Sequence, residues 1–401
     1  MFADTPLVIV EDTETLSKVV DDLRQEPVIG IDTESDSFHH YQEKVCLIQV
    51  SDPRRDYILD PLKIDDLSRL GEVLENPAIV KVLHGADYDV VCLKRDFAFQ
   101  IRGLFDTMVA AQFLAMPKVG LADLIERFFG EEVDKKYQRH DWAERPLLEE
   151  HLQYARGDTH WLLALREVML HKLGQSGRLR HVEEECRLLE QREWSGRGGD
   201  PADFLRVKRS GTLDPDGLKV LRALWTYRDA QARAADRPAF KIMPDAMLVA
   251  IASRRPHSST DLHAILRRGS ALSRKHGSRL LEIVEEGLAD DTPIPEPPRV
   301  ERARRTRSGA GVERLMGPLR DWRNQVVEGR GLAPVVVASN QMLKEVARVA
   351  PKTLEELREV PGVRSWQVEQ FGDEILGIVA SAGPPADGGA TKRRRRRSRR
   401  K

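Results

Sequence analysis

An apolar run that ends in two carboxylates is the feature that most constrains this chain. Val28, Ile29 and Ile31 are β-branched, and Asp32 and Glu34 close the run. Such a run predicts a buried strand, and alternation along a strand places Asp32 and Glu34 on the same face. Like charges held this close repel each other unless a cation lies between them, and a divalent hard cation takes oxygen ligands. An ordinary acidic turn is the alternative for this pair taken alone.

Length and composition narrow the class of protein. The chain has 401 residues, which is enough for two or three domains with separate cores. It has no run of 18 apolar residues, so we expect no membrane partner. The N-terminal segment lacks the basic and long apolar parts of a secretory signal. Cys46, Cys92 and Cys186 are isolated, which indicates a reduced, cytoplasmic protein without a zinc or disulfide framework.

A net charge of zero conceals an asymmetry along the chain. Lys and Arg less Asp and Glu gives −14 for residues 1 to 170, +6 for 171 to 382 and +8 for the remainder. An acidic region suits metal binding, whereas a basic region suits a polyanion such as nucleic acid.

The first part of the chain predicts an α/β domain. Short strands at 45–50 and 56–60 follow the first strand through turn-rich connections, which predicts an antiparallel meander. We then expect a helix, a buried strand, a second helix and a short strand at 65–74, 78–83, 87–97 and 103–105. From residue 107 to about 173 the pattern is helical, with one irregular segment at 130–146.

Three separated motifs carry a resemblance to a known family. Asp32-x-Glu34 lies on a strand, Asp89 follows His84-Gly-Ala in a helix, and Tyr154 and Asp158 lie one turn apart on a late helix. This order resembles the tyrosine-bearing branch of the DEDD exonuclease superfamily and is most similar to the ribonuclease D family. Further similarity comes from segments 104–107, 141–142 and 145–147, and the resemblance covers residues 5 to about 172.

The resemblance implies a ribonuclease H-like fold and a role for each motif residue. It makes Asp32, Glu34, Asp89 and Asp158 the metal-binding carboxylates and Tyr154 the residue that positions the attacking water. Asp87 is also near the second motif, but the family's aspartate falls five residues after the histidine, which selects Asp89.

The chemistry explains why such residues are needed. Phosphodiester cleavage develops charge on the attacking and leaving oxygens, and two cations stabilise both ends of an in-line displacement. Without a Cys or His cluster, two Mg²⁺ or Mn²⁺ ions fit best. We expect His84 to be structural or to lie near RNA rather than to bind metal. Arg145 is either a surface charge or a phosphate contact.

The rest of the chain repeats itself with a shift of 95 residues. Without a gap, Arg228 aligns with Arg323, Pro256 with Pro351, and Gly277 with Gly372. Proline and glycine residues that recur at the same positions of both segments predict two copies of one helical domain. Both copies resemble HRDC domains, which implies nucleic-acid binding or, alternatively, protein interaction. The first copy lacks the turn that Pro361-Gly-Val forms in the second.

These patterns define six segments. We predict an exonuclease domain at 1–175, a connecting segment at 176–211, HRDC domains at 212–290 and 312–382, a Pro/Arg-rich linker at 291–311 and a disordered basic tail at 383–401. Candidate RNA-binding residues are His84, Arg145, Arg228, Arg323, Lys392, Arg393, Arg394, Arg395, Arg396 and Arg397.

The sequence thus predicts a monomeric, cytoplasmic 3′-5′ exoribonuclease. The resemblance implies structured RNAs such as tRNA precursors as substrates and nucleoside 5′-monophosphates as products. A DNA 3′ exonuclease is the alternative enzyme, since the same metal site can cut either polymer. An RNA-binding scaffold without activity is a further alternative, which the complete set of motif carboxylates argues against.

Overall fold

The structure is a computed structural model that describes residues 5–194, 200–266, 269–295 and 309–381. The chain divides into two compact units. The first holds residues 1–110 and 118–299, and the second holds residues 111–117 and 300–401. Within the described ranges, no helix combines the length and the apolar character needed to cross a bilayer.

Six strands form one mixed sheet in the first unit, in the order β1-β4-β3-β2-β5-β6. The predicted meander is confirmed, because β3 pairs antiparallel with both β2 and β4, whereas β1, β5 and β6 pair parallel with their neighbours. The bounds are β1 (Leu7–Val10), β2 (Val28–Ser35), β3 (Val45–Ser51), β4 (Asp56–Leu59), β5 (Val80–Leu83) and β6 (Leu104–Asp106).

Helices cover this sheet and include one that the sequence predicts residue for residue, α3. The predicted helix at 65–74 begins later, at Ser68, and β1 and α1 were not predicted at all. The bounds are α1 (Thr13–Leu23), α2 (Ser68–Glu75), α3 (Asp87–Phe97), α4 (Thr107–Phe113), α5 (Leu121–Phe129), α6 (Glu149–His160), α7 (Leu162–Ser176) and α8 (Leu179–Glu190).

Two helical bundles follow. After two short 3₁₀ turns (Asp203–Arg206 and Ser210–Thr212), the first bundle comprises α9 (Pro215–Ala234), α10 (Ala239–Ile242), α11 (Asp245–Arg254), α12 (Ser259–Ile265) and α13 (Ala271–Ala289). The second comprises α14 (Gly309–Arg330), α15 (Pro334–Val337), α16 (Asn340–Val349), α17 (Leu354–Arg358) and α18 (Ser365–Ser381). The helices α10 and α15, and likewise α11 and α16, differ by the predicted 95 residues.

The repeat extends to side-chain contacts. Arg228 donates through Nη1 to the Met243 carbonyl at 3.1 Å and to Asp245 at 2.6 Å. Arg323 donates to the Ala338 carbonyl at 3.1 Å and to the Asn340 side chain at 3.0 Å, at positions shifted by 95. Both arginines therefore tie the first helix of their bundle to the segment around the short second helix. These intradomain contacts argue against our assignment of Arg228 and Arg323 to RNA binding, because the guanidinium groups are engaged inside each bundle.

Several predicted features lie outside the described residues. They are part of the segment that replaces the Pro-Gly-Val turn in the first bundle (267 and 268), most of the Pro/Arg-rich linker (296–308), and the basic tail with Lys392 and Arg393 to Arg397.

Candidate active site

Three of the predicted metal ligands lie together at the junction of β2 and α6. Ligand oxygens of Asp32, Glu34 and Asp158 all lie within 4.8 Å of one another. Asp32 and Glu34 share one face of β2 because side chains alternate along a strand, and α6 packs over that face. The two motifs are separated by more than a hundred residues, so the cluster depends on the fold.

A glycine lets α6 and α7 approach the strand closely. A Cβ atom at Gly30 would lie 3.1 Å from the carbonyl oxygen of Thr159 and 3.3 Å from Cβ of Leu162. Thr159 follows Asp158 directly, so this close contact sets the distance between Asp158 and the carboxylates of β2. Gly30 was not singled out as a functional residue from the sequence. Its position two residues before Asp32, on the same face, was the available signal.

A buried network fixes α6 over the sheet. Arg156 and His160 of α6 contact Asp56 on β4 at 2.6 and 3.0 Å, and Asp56 also accepts from Ser51 at 2.7 Å. Although burial alone would raise its pKa, hydrogen bonds from His160, Ser51 and Arg156 lower the pKa of Asp56. Thr159 contacts Ser51 at 2.7 Å. These bonds prevent α6 from rotating and thereby direct Tyr154 and Asp158 to the site.

The fourth predicted ligand, Asp89, borders the cluster. It is 7% exposed and lies in the first turn of α3, where Oδ1 accepts a hydrogen bond from the Thr33 hydroxyl, between Asp32 and Glu34. Asp87, the rejected alternative, is exposed and pairs with Arg192 at 2.9 Å. The geometry therefore favours Asp89, although its carboxylate is not one of the three mutually close groups.

Crowded acidic groups perturb one another. Burial, followed by the charges of Asp89, Asp158 and Glu34, raises the pKa of Asp32 well above its ordinary value. Burial and then the charges of Asp158 and Asp89 do the same to the pKa of Glu34. Burial and Asp89 raise the pKa of Asp158 to about 7. Burial raises the pKa of Asp89 to about 6, against the hydrogen bond from Thr33. Without a bound cation, these four carboxyl groups therefore keep their protons to higher pH than a free carboxyl group does.

The donor set fits a hard divalent cation. The cluster offers only carboxylate oxygens, the ligands that Mg²⁺ and Mn²⁺ prefer. Gln49 pairs across the strands with Asp32, and neither polar atom of its buried amide has a partner among the described residues. An unsatisfied amide beside repelling carboxylates is typical of a site that a ligand and its waters complete.

Tyr154 lies one turn before Asp158 on α6. Its ring packs against buried Trp142, with centroids 5.8 Å apart. No residue in the described part of the chain hydrogen-bonds its hydroxyl. Burial, followed by the charges of Asp158, Glu34 and Asp32, raises the pKa of Tyr154 above its ordinary value. In the absence of metal the hydroxyl therefore stays protonated near neutral pH, a form that can donate a hydrogen bond to a water and is a poor base.

Asp106 shapes the turn that leads to Asp89. Its carboxylate accepts backbone N–H groups from Gly85 at 3.0 Å, Ala86 at 2.8 Å and Met108 at 2.8 Å. His84 contacts the Thr107 hydroxyl at 2.9 Å, and burial lowers the pKa of its imidazole. This contact favours a structural role for His84, and the prediction that it lies near RNA stays a prediction. The segment 104–107 that supported the resemblance has the same structural role.

Arg145 holds the irregular segment in place. It donates to both oxygens of Asp60 at 2.7 Å and to the carbonyls of Trp142, Glu144 and Cys46 at 2.7 to 3.1 Å. These bonds use every N–H of the guanidinium. These contacts argue against the phosphate contact that we considered for Arg145, because the partly exposed guanidinium crosslinks the segment after α5 to β3 and to the end of β4.

Known proteins resemble this chain over both parts. A family model described as a 3′-5′ exonuclease matches residues 7–174, and the HRDC domain model matches residues 217–284 and 312–379. Ribonuclease D of Gluconacetobacter diazotrophicus is 30% identical over 92% of this chain and 92% of its own length. The exosome complex exonuclease RRP6 of Saccharomyces cerevisiae is 31% identical over 73% of this chain and 43% of its own.

The crystal structure of Escherichia coli RNase D has the same fold, with a TM-score of 0.71, 24% identity and coverage of 94% of this chain and 99% of that one. The chain spans less than half the length of the exosome proteins that it matches, from 30% to 43%. The ribonuclease D relatives, in contrast, match nearly end to end. With its exonuclease domain followed by two HRDC domains, the chain belongs to the ribonuclease D family.

Proposed function

We propose that this protein is a metal-dependent 3′-5′ exoribonuclease that releases nucleoside 5′-monophosphates. The observation that carries the proposal is the convergence of Asp32, Glu34 and Asp158, with Tyr154 one helical turn away. Relatives named as ribonuclease D and as exosome exonuclease support RNA as the polymer.

Each residue at the site has a role in this proposal. Asp32, Glu34 and Asp158 would hold one divalent cation, and Asp89 with Asp32 would help to hold a second, with Mg²⁺ or Mn²⁺ as the candidates. Bound cations would stabilise charge on the attacking and leaving oxygens of the phosphodiester. Tyr154 would orient the attacking water through its protonated hydroxyl.

The partner and the location of the protein are proposed from its basic residues and its cysteines. The basic residues after residue 170 suit RNA, and structured RNAs with 3′ extensions, such as tRNA precursors, are the proposed substrates. We place the protein in the cytoplasm, as a monomer. The three cysteines are free and buried, which suits a reducing compartment.

One experiment tests the proposal. Purified protein is incubated with 3′-labelled and 5′-labelled RNA and DNA oligomers in Mg²⁺, Mn²⁺ or chelator. We expect release of mononucleotides from the 3′ end of RNA, only with metal, and almost none from Asp32→Asn protein. Preference for DNA would favour the alternative enzyme. Absence of cleavage by wild-type protein with either metal would contradict the proposal.

A further inference from the structure

The loop after β2, the strand that carries Asp32 and Glu34 and that we call the catalytic strand, contacts the first HRDC bundle. This loop, residues 36–44, begins two residues after Glu34 and connects β2 to β3. The Tyr41 hydroxyl donates to Asp229 of α9 at 2.8 Å, and His40 contacts Asp236 at 2.8 Å. Both partners belong to the same compact unit as the sheet. The bundle is therefore held close to the catalytic strand.

Two exposed aromatic rings meet where the loop and the bundle come together. Phe38 lies in the loop and Phe240 lies in α10, and their centroids are 6.2 Å apart in an edge-to-face arrangement. Phe38 remains 43% exposed and Phe240 48% exposed. A pair that served only to dock the bundle would cover its rings, since burial is the source of hydrophobic stabilisation. These rings instead keep apolar faces in water.

One cation contacts the Phe38 ring, and two more lie near Phe240 in the sequence. The Arg139 guanidinium lies 5.8 Å from the centre of the Phe38 ring, and the Arg139 carbonyl contacts His39 of the same loop at 2.9 Å. Arg237 and Lys241, on either side of Phe240 in the sequence, are exposed. We call Phe38, Phe240 and Arg139 the aromatic ledge. Exposed rings beside exposed cations are the features with which proteins bind single-stranded nucleic acid, through base stacking and phosphate contacts.

We propose that the aromatic ledge binds the single-stranded 3′ segment of the RNA, upstream of the nucleotide being removed. The inference rests on the proposed function for the identity of the polymer. RNA is the proposed occupant because exposed rings suit bases, the Arg139 guanidinium suits a phosphate, and the loop follows directly from the strand that carries Asp32 and Glu34. A folded protein partner would be expected to bury a larger apolar area than two rings provide.

Chain length limits which nucleotides can reach the ledge. Phe38 follows Glu34 by four residues, so their Cα atoms are at most about 14 Å apart. At about 3.4 Å per stacked nucleotide, this distance corresponds to roughly two to four nucleotides. The ledge would therefore contact bases within about the first four positions from the 3′ end, and bases further upstream would lie beyond it.

Binding experiments on the full chain test the ledge. Asp32→Asn is used throughout so that RNA stays intact, and Phe38→Leu and Phe240→Leu are introduced separately into it. Leucine keeps an apolar side chain but has no π face, so each change should weaken RNA binding by roughly 5- to 150-fold. Phe38→Trp should restore affinity. Leu62→Ala, at a residue 40% exposed elsewhere in the domain, is the matched control and should bind as the parent.

Two further measurements locate the contact. A fluorescent base analogue about three nucleotides from the 3′ end should be quenched on binding, and Phe38→Leu should abolish the quenching, whereas an analogue near the 5′ end should respond equally in both proteins. Arg139→Gln should reduce the slope of log affinity against log salt by about 0.7.

The outcomes separate this inference from the proposed function. Unchanged affinity and unchanged quenching in both leucine variants would overturn the ledge, even if the wild-type protein degrades RNA from its 3′ end. Failure of the wild-type protein to degrade RNA would overturn the proposed function, while binding by the Asp32→Asn proteins would still decide whether the ledge holds a single strand.

Discussion

Removing one carboxylate from the cluster should stabilise the metal-free protein. The pKa of Asp158 is about 7 in the folded chain, against an ordinary value of 3.8. A raised pKa means that the folded state binds the proton more tightly than the unfolded state. Stability from this group is therefore complete below the ordinary pKa and is lost as pH rises through about 7. Asp158→Asn has no charge to bury and should escape that loss.

The size of the effect follows from the shift. About three pKa units at 1.36 kcal/mol each give about 4 kcal/mol as the upper limit of the free energy of unfolding that wild-type protein loses by about pH 8. We expect Asp158→Asn to gain about 1 to 4 kcal/mol over wild type at that pH in chelator. At about pH 5 the gain should be less than half as large, because the folded-state carboxyl is still protonated there and only the unfolded state has lost its proton.

Thermal unfolding in chelator at both pH values measures this difference. The transition to follow is the one that Mn²⁺ raises in wild-type protein, because the chain has more than one domain. In Asp158→Asn, Mn²⁺ should raise this transition much less. Glu132→Gln removes a carboxylate that is exposed in the same domain and serves as the control. If Asp158→Asn melts below wild type in chelator at the higher pH, the assumption that repulsion dominates the metal-free site is refuted.

Three other outcomes follow from the structure. Tyr154→Phe keeps the packing on Trp142 but loses the hydroxyl, so single-turnover cleavage should fall roughly 10- to 10³-fold. An unchanged rate would show that another group orients the water. Gly30→Ala must push α6 away by a few tenths of an ångström, which should cost about 1–3 kcal/mol of stability and weaken Mn²⁺ binding in calorimetry. Wild-type Mn²⁺ affinity would show that the close contact does not set the site. Deletion after Ala390 removes nine positive charges. With roughly four to six of them on phosphates at once, the slope of log RNA affinity against log salt should flatten by about three to four, and parallel slopes would assign the tail to another partner.

Local pattern predicted much of the site because it is built from short motifs. The alternating strand placed Asp32 and Glu34 on one face, and helical spacing placed Tyr154 one turn from Asp158. The helix that carries Asp89 was predicted from Asp87 to Phe97, as observed. Each of these predictions depends on geometry within one element. The repeat was equally accessible, since a shift without gaps needs only the sequence.

Features that depend on contacts between distant elements were missed. The strand β1 has four residues and exists because it pairs with β4, which no local pattern contains. From the sequence alone, Arg145 cannot be distinguished from an arginine that contacts phosphate. Only the fold shows that its guanidinium pairs with Asp60. Phe38 carried a weak signal, an aromatic residue just after the acidic strand, but its exposure and its neighbour Phe240 required the structure.

Arg228 and Arg323 make equivalent contacts in the two helical bundles. A comparison of these contacts shows which of their acceptors differ between the two copies. In both copies one acceptor is a backbone carbonyl, which every residue type has. Met243 in the first copy and Ala338 in the second therefore accept the same bond although their side chains differ. The other acceptor is a side chain, and there an ion pair to Asp245 corresponds to a neutral bond to Asn340. Sequence drift could therefore alter the charge of each copy while the spacing of its helices stayed fixed, which leaves the two outer surfaces able to diverge toward different tasks.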